Sequence, residues 1–171
     1  MSLGGTLTLN YAAMAAVVGC VVRSVARHGF RRIFVMNGHG GNIAALETII
    51  TELTVELQLP LAAGTYWHIA EASIADILTH QERVLHACEA ETSMLQALSP
   101  ETVKPLKKTF RSPLVPGLSA IPGVNPGIYR WQQLGTRSRQ GLIGEAWAAS
   151  PDKGHRLLQA IAKDVAQALS V

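Results

Sequence analysis

The stretch that decides the fold is FVMNGHGGN, residues 34–42, where an apolar run ends in a glycine-rich turn that carries one histidine. The run from Ile33 to Met36 consists of β-prone residues and predicts a strand buried on both faces. Residues 43–57 follow with apolar side chains at helical spacing, which predicts a helix. We therefore expect His39 at the carboxyl end of a strand, just before a helix, at the edge where ligands bind in open α/β sheets.

The segments around this stretch predict an α/β chain with parallel strands. Asn10 is placed to cap a helix that runs to about His28, and Gly29 follows where a left-handed residue is favoured. Residues 59–67 predict a second strand, which makes a strand-helix-strand unit with parallel strands and a right-handed crossover. Further helices are predicted at 71–80, at 89–98 and from Pro151 onward, the last with Ser150 as its N-cap.

Length and composition indicate one domain over residues 1–171. The chain is 48% hydrophobic and 16% charged, which provides apolar material for one sizeable core. The net charge of +3 comes from scattered basic residues and aromatic residues make up 5%, so we expect no nucleic-acid partner. Two cysteines without other signs of a disulfide scaffold favour a reducing cytoplasm.

The beginning of the chain carries no charged side chain before Arg23, which raises the question of a membrane segment. Polar residues and glycines interrupt its first half, and the apolar run at 11–22 is short for a bilayer. A signal peptide would carry positive charge ahead of its apolar core, whereas Arg23 and Arg27 follow it. A helix buried beneath a sheet explains the region better, so we expect no membrane partner. The abrupt MSLGG start predicts a shortened chain.

The glycine turn has several interpretations on its residues alone. His39 serves a functional site, or it caps the next helix, or the glycines serve a tight turn only. The backbone N–H groups of Gly40, Gly41 and Asn42 at a helix N-terminus are also typical of a phosphate cradle. Neither the Gly-x-Gly-x-x-Gly spacing nor a Walker lysine is present, so the nucleotide fingerprint is weak.

A second polar cluster is HACEAETS, residues 86–93, at the predicted start of a helix. Histidine and carboxylate are usual ligands of catalytic metals, and a histidine that binds no metal can act as general acid or base. The alternative is a capping sequence, in which the helix dipole favours Glu89 and Glu91 in the first turn. Cys88 is a soft ligand or, as we expect, a small buried residue. Trp67 ends the second predicted strand, at the ligand-binding edge or in the core.

Together these motifs resemble the creatininase (creatinine amidohydrolase) family. The matching pieces, in chain order, are residues 5–9, 28–33, 37–42, 66–67, 86–93, 141–144 and 151–154. The resemblance covers nearly the whole chain and implies a three-layer α/β/α fold with a mainly parallel sheet. It also implies a hydrolase that cleaves a C–N amide bond, in a cyclic amide, a formamide or a similar group. The implied nucleophile is a hydroxide that bridges two divalent metal ions, Zn, Mn or Fe.

The resemblance implies roles for individual residues. His39 and Glu91 would be metal ligands, and His86 would be the acid/base that gives a proton to the leaving nitrogen. Trp67 would line the substrate pocket. The other residues of the implied site are the pocket residues Asn37, Gly40, Gly41 and Asn42 and the further candidates Glu89 and Cys88.

Two departures from the family pattern affect these expectations. Family members carry an earlier segment with a Glu-x-His pair and a metal-bridging aspartate, and this chain contains no Glu-x-His. We therefore expect an N-terminally truncated member, either an active hydrolase or an inactive fragment or assembly subunit that keeps the fold. Residues 82–85 also lack the tryptophan of creatinine-hydrolysing members, so we expect a substrate other than creatinine.

Relatives of this family assemble as closed oligomers, often hexamers, so the resemblance also implies a homo-oligomer. The proline- and glycine-rich region at 105–140 has no sustained period and is expected to cover a site or to meet a neighbouring subunit, with Tyr129 and Trp131 as anchors. The third and weakest hypothesis is a phosphate- or nucleotide-binding module that uses the glycine turn.

Overall fold

The computed structural model describes residues 6–104, 128–129, 131–138 and 140–170. Two compact units are present. The first, called the strand unit, is Leu7–Ile69, and the second, called the helical unit, is made up of Met1–Thr6 and Ala70–Val171. No helix in the described part of the chain is both long and apolar enough to cross a membrane.

The strand unit is a strand-helix-strand arrangement preceded by one helix. Its elements are α1 (Tyr11–Arg27), β1 (Ile33–Asn37), α2 (Ile43–Leu57), β2 (Leu61–Thr65) and the short α3 (Tyr66–Ile69). β1 pairs with β2 in parallel, with Ile33 opposite Leu61 and Asn37 opposite Thr65. The predicted α/β class and the predicted parallel pairing are confirmed.

Helix α1 begins and ends where local sequence signals place its ends. The side chain of Asn10 accepts a hydrogen bond of 2.8 Å from the N–H of Ala13. Gly29 follows the helix with a φ of 91°, a left-handed conformation that glycine adopts without a steric cost. Buried Val22 of α1 packs with Ile49 and Leu53 of α2, and apolar residues from both strands complete this core.

Three predictions about this unit are wrong in detail. β1 is not buried on both faces, because Met36 is 46% exposed. β2 ends at Thr65 and not at residue 67, since the chain turns directly into α3 there, and Trp67 is therefore helical. α1 is not a fully buried helix, because the side chains of Val17 and Val21 are more than half exposed.

The helical unit contains α4 (Glu71–Ile77), α5 (Glu89–Leu98), α6 (Leu134–Arg137) and α7 (Pro151–Leu169). α5 packs against α7. The predicted cap of α7 is confirmed, because Ser150 Oγ accepts a hydrogen bond of 3.3 Å from Lys153 N. α4 ends three residues before the predicted residue 80, where the backbone of Leu78 becomes extended.

The region predicted to be irregular lies mostly outside the described residues, which omit 105–127. Within its described part, α6 forms one helical turn. Tyr129 and Trp131, the expected anchors, are 82% and 70% exposed. Their role in subunit contact stays a prediction.

Candidate active site

His39 lies directly after the carboxyl end of β1. A 3₁₀ turn (Gly40–Asn42) follows it, and α2 begins at Ile43. The residue is exposed, and its N–H donates a hydrogen bond of 3.1 Å to Asn37 Oδ1. The predicted position, at a strand end just before a helix, is confirmed.

The side chain of Asn37 fixes the shape of the glycine turn. Its side chain is buried, and its Nδ2 donates to the carbonyl oxygen of His39 at 3.0 Å and to Thr65 Oγ1 at 2.9 Å. One amide group therefore closes the turn and ties the end of β1 to the end of β2. This structural role was not part of the prediction, and the predicted contact of Asn37 with substrate stays a prediction.

Two ring systems lie against the glycine turn. A Cβ atom on Gly41 would lie 3.0 Å from His39 Cε1 and 3.1 Å from its Nδ1, so a larger residue there would require the exposed imidazole to shift by a few tenths of an ångström. A Cβ atom on Gly40 would lie 3.8 Å from Trp67 Cζ2. The structure thus brings His39, the glycines and Trp67 together at the carboxyl edge of the strands.

The same turn is less suited to bind a phosphate through its backbone N–H groups than its sequence indicates. The N–H of Asn42 donates to the carbonyl oxygen of His39 at 3.1 Å. One of the three amides expected to face an anion is therefore used inside the turn.

His86 sits on the loop that joins α4 to α5, and main-chain bonds fix its backbone. Its N–H donates to Ile143 O at 3.1 Å, and Ile143 N–H donates to His86 O at 2.8 Å. Ala87 follows with a φ of 46°, a left-handed conformation that costs a residue with a Cβ about 1–2 kcal/mol. Such strain persists only where the surroundings over-determine the backbone, so the position of His86 is set by several contacts.

Glu91 occupies the third position of α5 and caps the helix. Its Oε2 accepts a hydrogen bond of 2.5 Å from the N–H of Ala87, an arrangement close to a capping box. The capping interpretation is therefore correct for this residue. A carboxylate has several acceptor positions, and the metal-ligand role of Glu91 stays a prediction.

Cys88 is completely buried at the start of α5, as we expected for a small core residue. Its Sγ accepts a hydrogen bond of 3.3 Å from Leu85 N. Burial raises the pKa of the Cys88 thiol, although hydrogen bonds from neighbouring backbone groups oppose the rise. The neutral thiol is therefore favoured, and the possible role of Cys88 as a soft metal ligand stays untested.

Glu89 is also completely buried, and four donors surround its carboxylate. Oε1 accepts from Thr79 N at 3.0 Å, from Thr79 Oγ1 at 2.9 Å and from Lys153 Nζ at 2.6 Å. Oε2 accepts from His80 N at 3.0 Å. These contacts give Glu89 a structural role in closing the loop between α4 and α5.

The charge on Glu89 is stabilised by the same contacts. Burial by itself raises the pKa of this carboxyl, but the hydrogen bonds from Lys153, Thr79 and His80 outweigh burial and hold the pKa below its usual value. The carboxylate is therefore ionised wherever the unit is folded near neutral pH, and it forms a salt bridge with Lys153.

Acid should destabilise the helical unit through Glu89. Its pKa is lower in the folded chain than the unfolded value of about 4.3. The unfolded chain therefore binds more protons in that range, and the stabilisation is present above about pH 4.3 and is lost as the pH falls through the folded pKa. We expect Glu89→Gln to flatten the acid side of a plot of melting temperature against pH.

Glu56→Gln is the matched control for this experiment. Glu56 pairs with Arg23 at the same distance, 2.6 Å, but both side chains are about half exposed. Salt screens such a pair, so this variant should keep the wild-type slope at moderate ionic strength. A Glu89→Gln curve as steep in acid as that of the wild type would contradict the assignment.

The predicted site residues are distributed over both units. His39, Asn37, the glycine turn and Trp67 belong to the strand unit, whereas residues 86–91 belong to the helical unit. Among the residues described, no three His, Cys, Asp or Glu side chains are grouped so that they could hold a metal ion. The donors described here therefore do not fit a complete metal centre by themselves.

Sequence reasoning missed three polar residues that form hydrogen bonds with Glu89: Thr79, Gln81 and Lys153. Gln81 Oε1 accepts from Glu89 N at 3.2 Å and from Glu145 N at 3.0 Å, which joins two loops. Thr79 and Lys153 meet at 2.7 Å although they are 74 positions apart. No local pattern marks such pairs. The available signal was that Lys153 lies in one of the motifs of the family resemblance, residues 151–154.

The fold and the two polar clusters define an α/β protein with polar residues gathered at a strand end and at a helix start. A family model described as "Creatininase: Creatinine amidohydrolase" matches residues 1–169. The chain belongs to the creatininase family, which confirms the predicted family.

Individual relatives are similar over nearly the whole chain. A creatinine amidohydrolase of Pseudomonas putida is 25% identical over 177 residues, which cover 96% of this chain and 65% of the relative. A mycofactocin precursor peptide peptidase of Mycobacterium ulcerans (strain Agy99) is 26% identical over 163 residues, 95% of this chain and 57% of the relative. The chain thus spans less than two thirds of the length of these two proteins.

Solved structures give the same result for the fold. A mutant creatininase complexed with creatine superimposes with a TM-score of 0.76 at 25% identity, covering 98% of this chain and 67% of that chain. Two further structures are a mutant creatininase of Zn-Zn type and a creatininase named for manganese. Each matches with a TM-score of 0.76 at 25% identity, and each match covers 98% of this chain and 66% of the other chain. The predicted creatininase-like α/β fold is confirmed.

Proposed function

We propose that this chain belongs to an amide hydrolase that cleaves the C–N bond of a cyclic amide, a formamide or a similar small amide. The observation that carries the proposal is the order of two motifs in a chain matched over residues 1–169. The Asn-Gly-His-Gly-Gly-Asn turn follows β1, and the HACEAETS run opens α5. Two relatives are named for amide or peptide hydrolysis, which supports the same class of bond.

In this proposal His86 is the acid/base. An imidazole changes its charge near neutral pH, so it can accept a proton and return it to a leaving nitrogen. The paired main-chain bonds with Ile143 hold the residue in place without using its ring. Trp67 offers a flat apolar surface beside the glycine turn, on which a planar amide can pack.

Divalent metal ions, zinc or manganese as in the names of solved relatives, are part of the proposal, with His39 and Glu91 among the ligands. These residues lie in different units, and the described residues group no three donors. The metal is therefore tested directly, by metal analysis of the purified chain after incubation with Zn²⁺, Mn²⁺ or a chelator. A homo-oligomer, up to a hexamer, and a cytoplasmic location stay predictions.

The reaction is tested with the same preparations. We expect ring opening of cyclic amides of the creatinine type and release of amine or ammonia from N-formyl amines and short peptide amides, and we expect the chelator to abolish both. Creatinine should be a poor substrate, because residues 82–85 contain no tryptophan. A folded chain that hydrolyses none of these compounds with either metal would favour the alternative, an assembly subunit that keeps the fold without the reaction.

A further inference from the structure

The first turn of α7 docks onto the N-terminal half of α5. Ser150 N–H donates to Ser93 Oγ at 3.1 Å, and Gly154 lies directly against the carbonyl oxygen of Ser93. Between these two contacts Lys153 reaches Glu89, with 2.6 Å between Nζ and Oε1. The helix start that follows His86 is therefore backed by three contacts from one short segment.

Lys153 uses its whole ammonium group in this place. Nζ donates to Glu89 Oε1, to Thr79 Oγ1 at 2.7 Å and to Ala148 O at 2.8 Å. An ammonium carries three donors, so these partners satisfy all of them. The side chain is 15% exposed and that of Glu89 is 0% exposed, so the pair is largely withdrawn from solvent.

The pair holds one end of the loop that carries His86. Glu89 accepts hydrogen bonds from the backbone N–H groups of Thr79 and His80, where this loop begins. The other end is held by the His86 bridge to Ile143 and by the carboxylate of Glu91 on Ala87 N. Lys153 thus acts on the loop through Glu89, from a helix more than sixty positions further along the chain.

We infer that Lys153 and Glu89 form a positioning pair, which fixes the 79–88 loop so that His86 stands where proton transfer requires it. The catalytic part of this inference rests on the proposed function. Stability alone explains such a pair poorly, because well-packed apolar residues in place of a buried ion pair are often neutral or stabilising. Directed hydrogen bonds, in contrast, fix geometry, and a displacement of about 1 Å can cost about a hundredfold in rate.

The central variant is Lys153→Met, which keeps an unbranched side chain, one heavy atom shorter, and removes its charge. We expect kcat to fall roughly tenfold to a hundredfold, with KM within about twofold of the wild type, when both are measured well below the melting temperature of the variant. Amide hydrogen exchange should speed up in residues 79–88. Arg23→Met removes an exposed ion pair with the same N–O distance. This control should change neither kcat nor amide hydrogen exchange in residues 79–88.

A double variant separates positioning from stability. Lys153→Met leaves the buried charge of Glu89 without its cation, and adding Glu89→Gln removes that charge. The double variant should therefore regain melting temperature but not kcat, since the tether to Thr79 and His80 is still altered. If Lys153→Met fails to fold, the double variant supplies the measurement in its place.

Several outcomes overturn the inference. Recovery of kcat in the double variant would reduce the pair to a stabilising role, as would a Lys153→Met chain that melts earlier but keeps wild-type kcat and wild-type exchange in the loop. If the wild type hydrolyses no amide, the proposed function fails. Hydrogen exchange in residues 79–88 still tests the positioning pair. Faster exchange in Lys153→Met than in the wild type supports the pair, and unchanged exchange overturns it.

Discussion

Replacing Gly154 by alanine should destabilise the helical unit by roughly 2 kcal/mol or more, although the same replacement stabilises most helices. The added Cβ atom would lie 2.0 Å from the carbonyl oxygen of Ser93 and 2.8 Å from the Cβ of Ala97. Both neighbours belong to α5. A backbone carbonyl cannot turn aside as a flexible side chain can, so α5 and α7 would have to move apart.

Gly19→Ala is the matched control, because Gly19 also lies inside a helix. Its added Cβ would meet Arg23 Nη1 at 2.6 Å, the far end of a flexible side chain that can move away. The gain in helix propensity should then dominate, and we expect a change between zero and about 1 kcal/mol of added stability. Chemical unfolding followed by circular dichroism measures both variants. Equal free energies of unfolding for the two would show that α5 and α7 are not closely packed at Gly154.

The close contact at Gly154 also shows what sequence patterns miss. From sequence alone, a glycine inside a helix is expected to lower the stability of the helix by about 1 kcal/mol relative to alanine. The structure shows that this position is occupied by the neighbouring helix, so glycine is the residue that fits. The same docking places Lys153 within reach of Glu89, and neither fact follows from helical periodicity.

Local signals, in contrast, determined most of the fold correctly. Asn10, Gly29 and Ser150 mark helix ends because their conformations and caps depend on the few residues around them. The parallel pairing of β1 and β2 followed from the intervening helix. The end of β2 was misplaced because Tyr66 and Trp67 are residues typical of strands, yet they form the first turn of α3.

The candidate site was predictable in part for the same reason. The place of His39 at a strand end follows from local topology, and the structure has it there. The sequence of residues 86–93 was equally compatible with metal binding and with helix capping, because both can use carboxylates at the start of a helix. The hydrogen bonds show that Glu91 caps the N–H of Ala87, four positions away. They also show that Glu89 binds Lys153, a partner 64 positions away that no local pattern reveals.

His86→Gln should lower kcat for amide hydrolysis by about 10²–10⁴-fold, the usual contribution of general acid–base catalysis. Glutamine can donate and accept hydrogen bonds but cannot carry a proton to a leaving nitrogen near neutral pH. Glutamine keeps the two bonds to Ile143, because they involve main-chain atoms only. The kcat is measured well below the melting temperature of the variant, so that a loss of rate is not a loss of folded protein. His155→Gln is the matched control, since this exposed histidine of α7 contacts Pro151 O of its own helix at 2.8 Å. Its kcat should stay at the wild-type value, and a His86→Gln chain that also kept wild-type kcat would remove His86 from the proposed reaction.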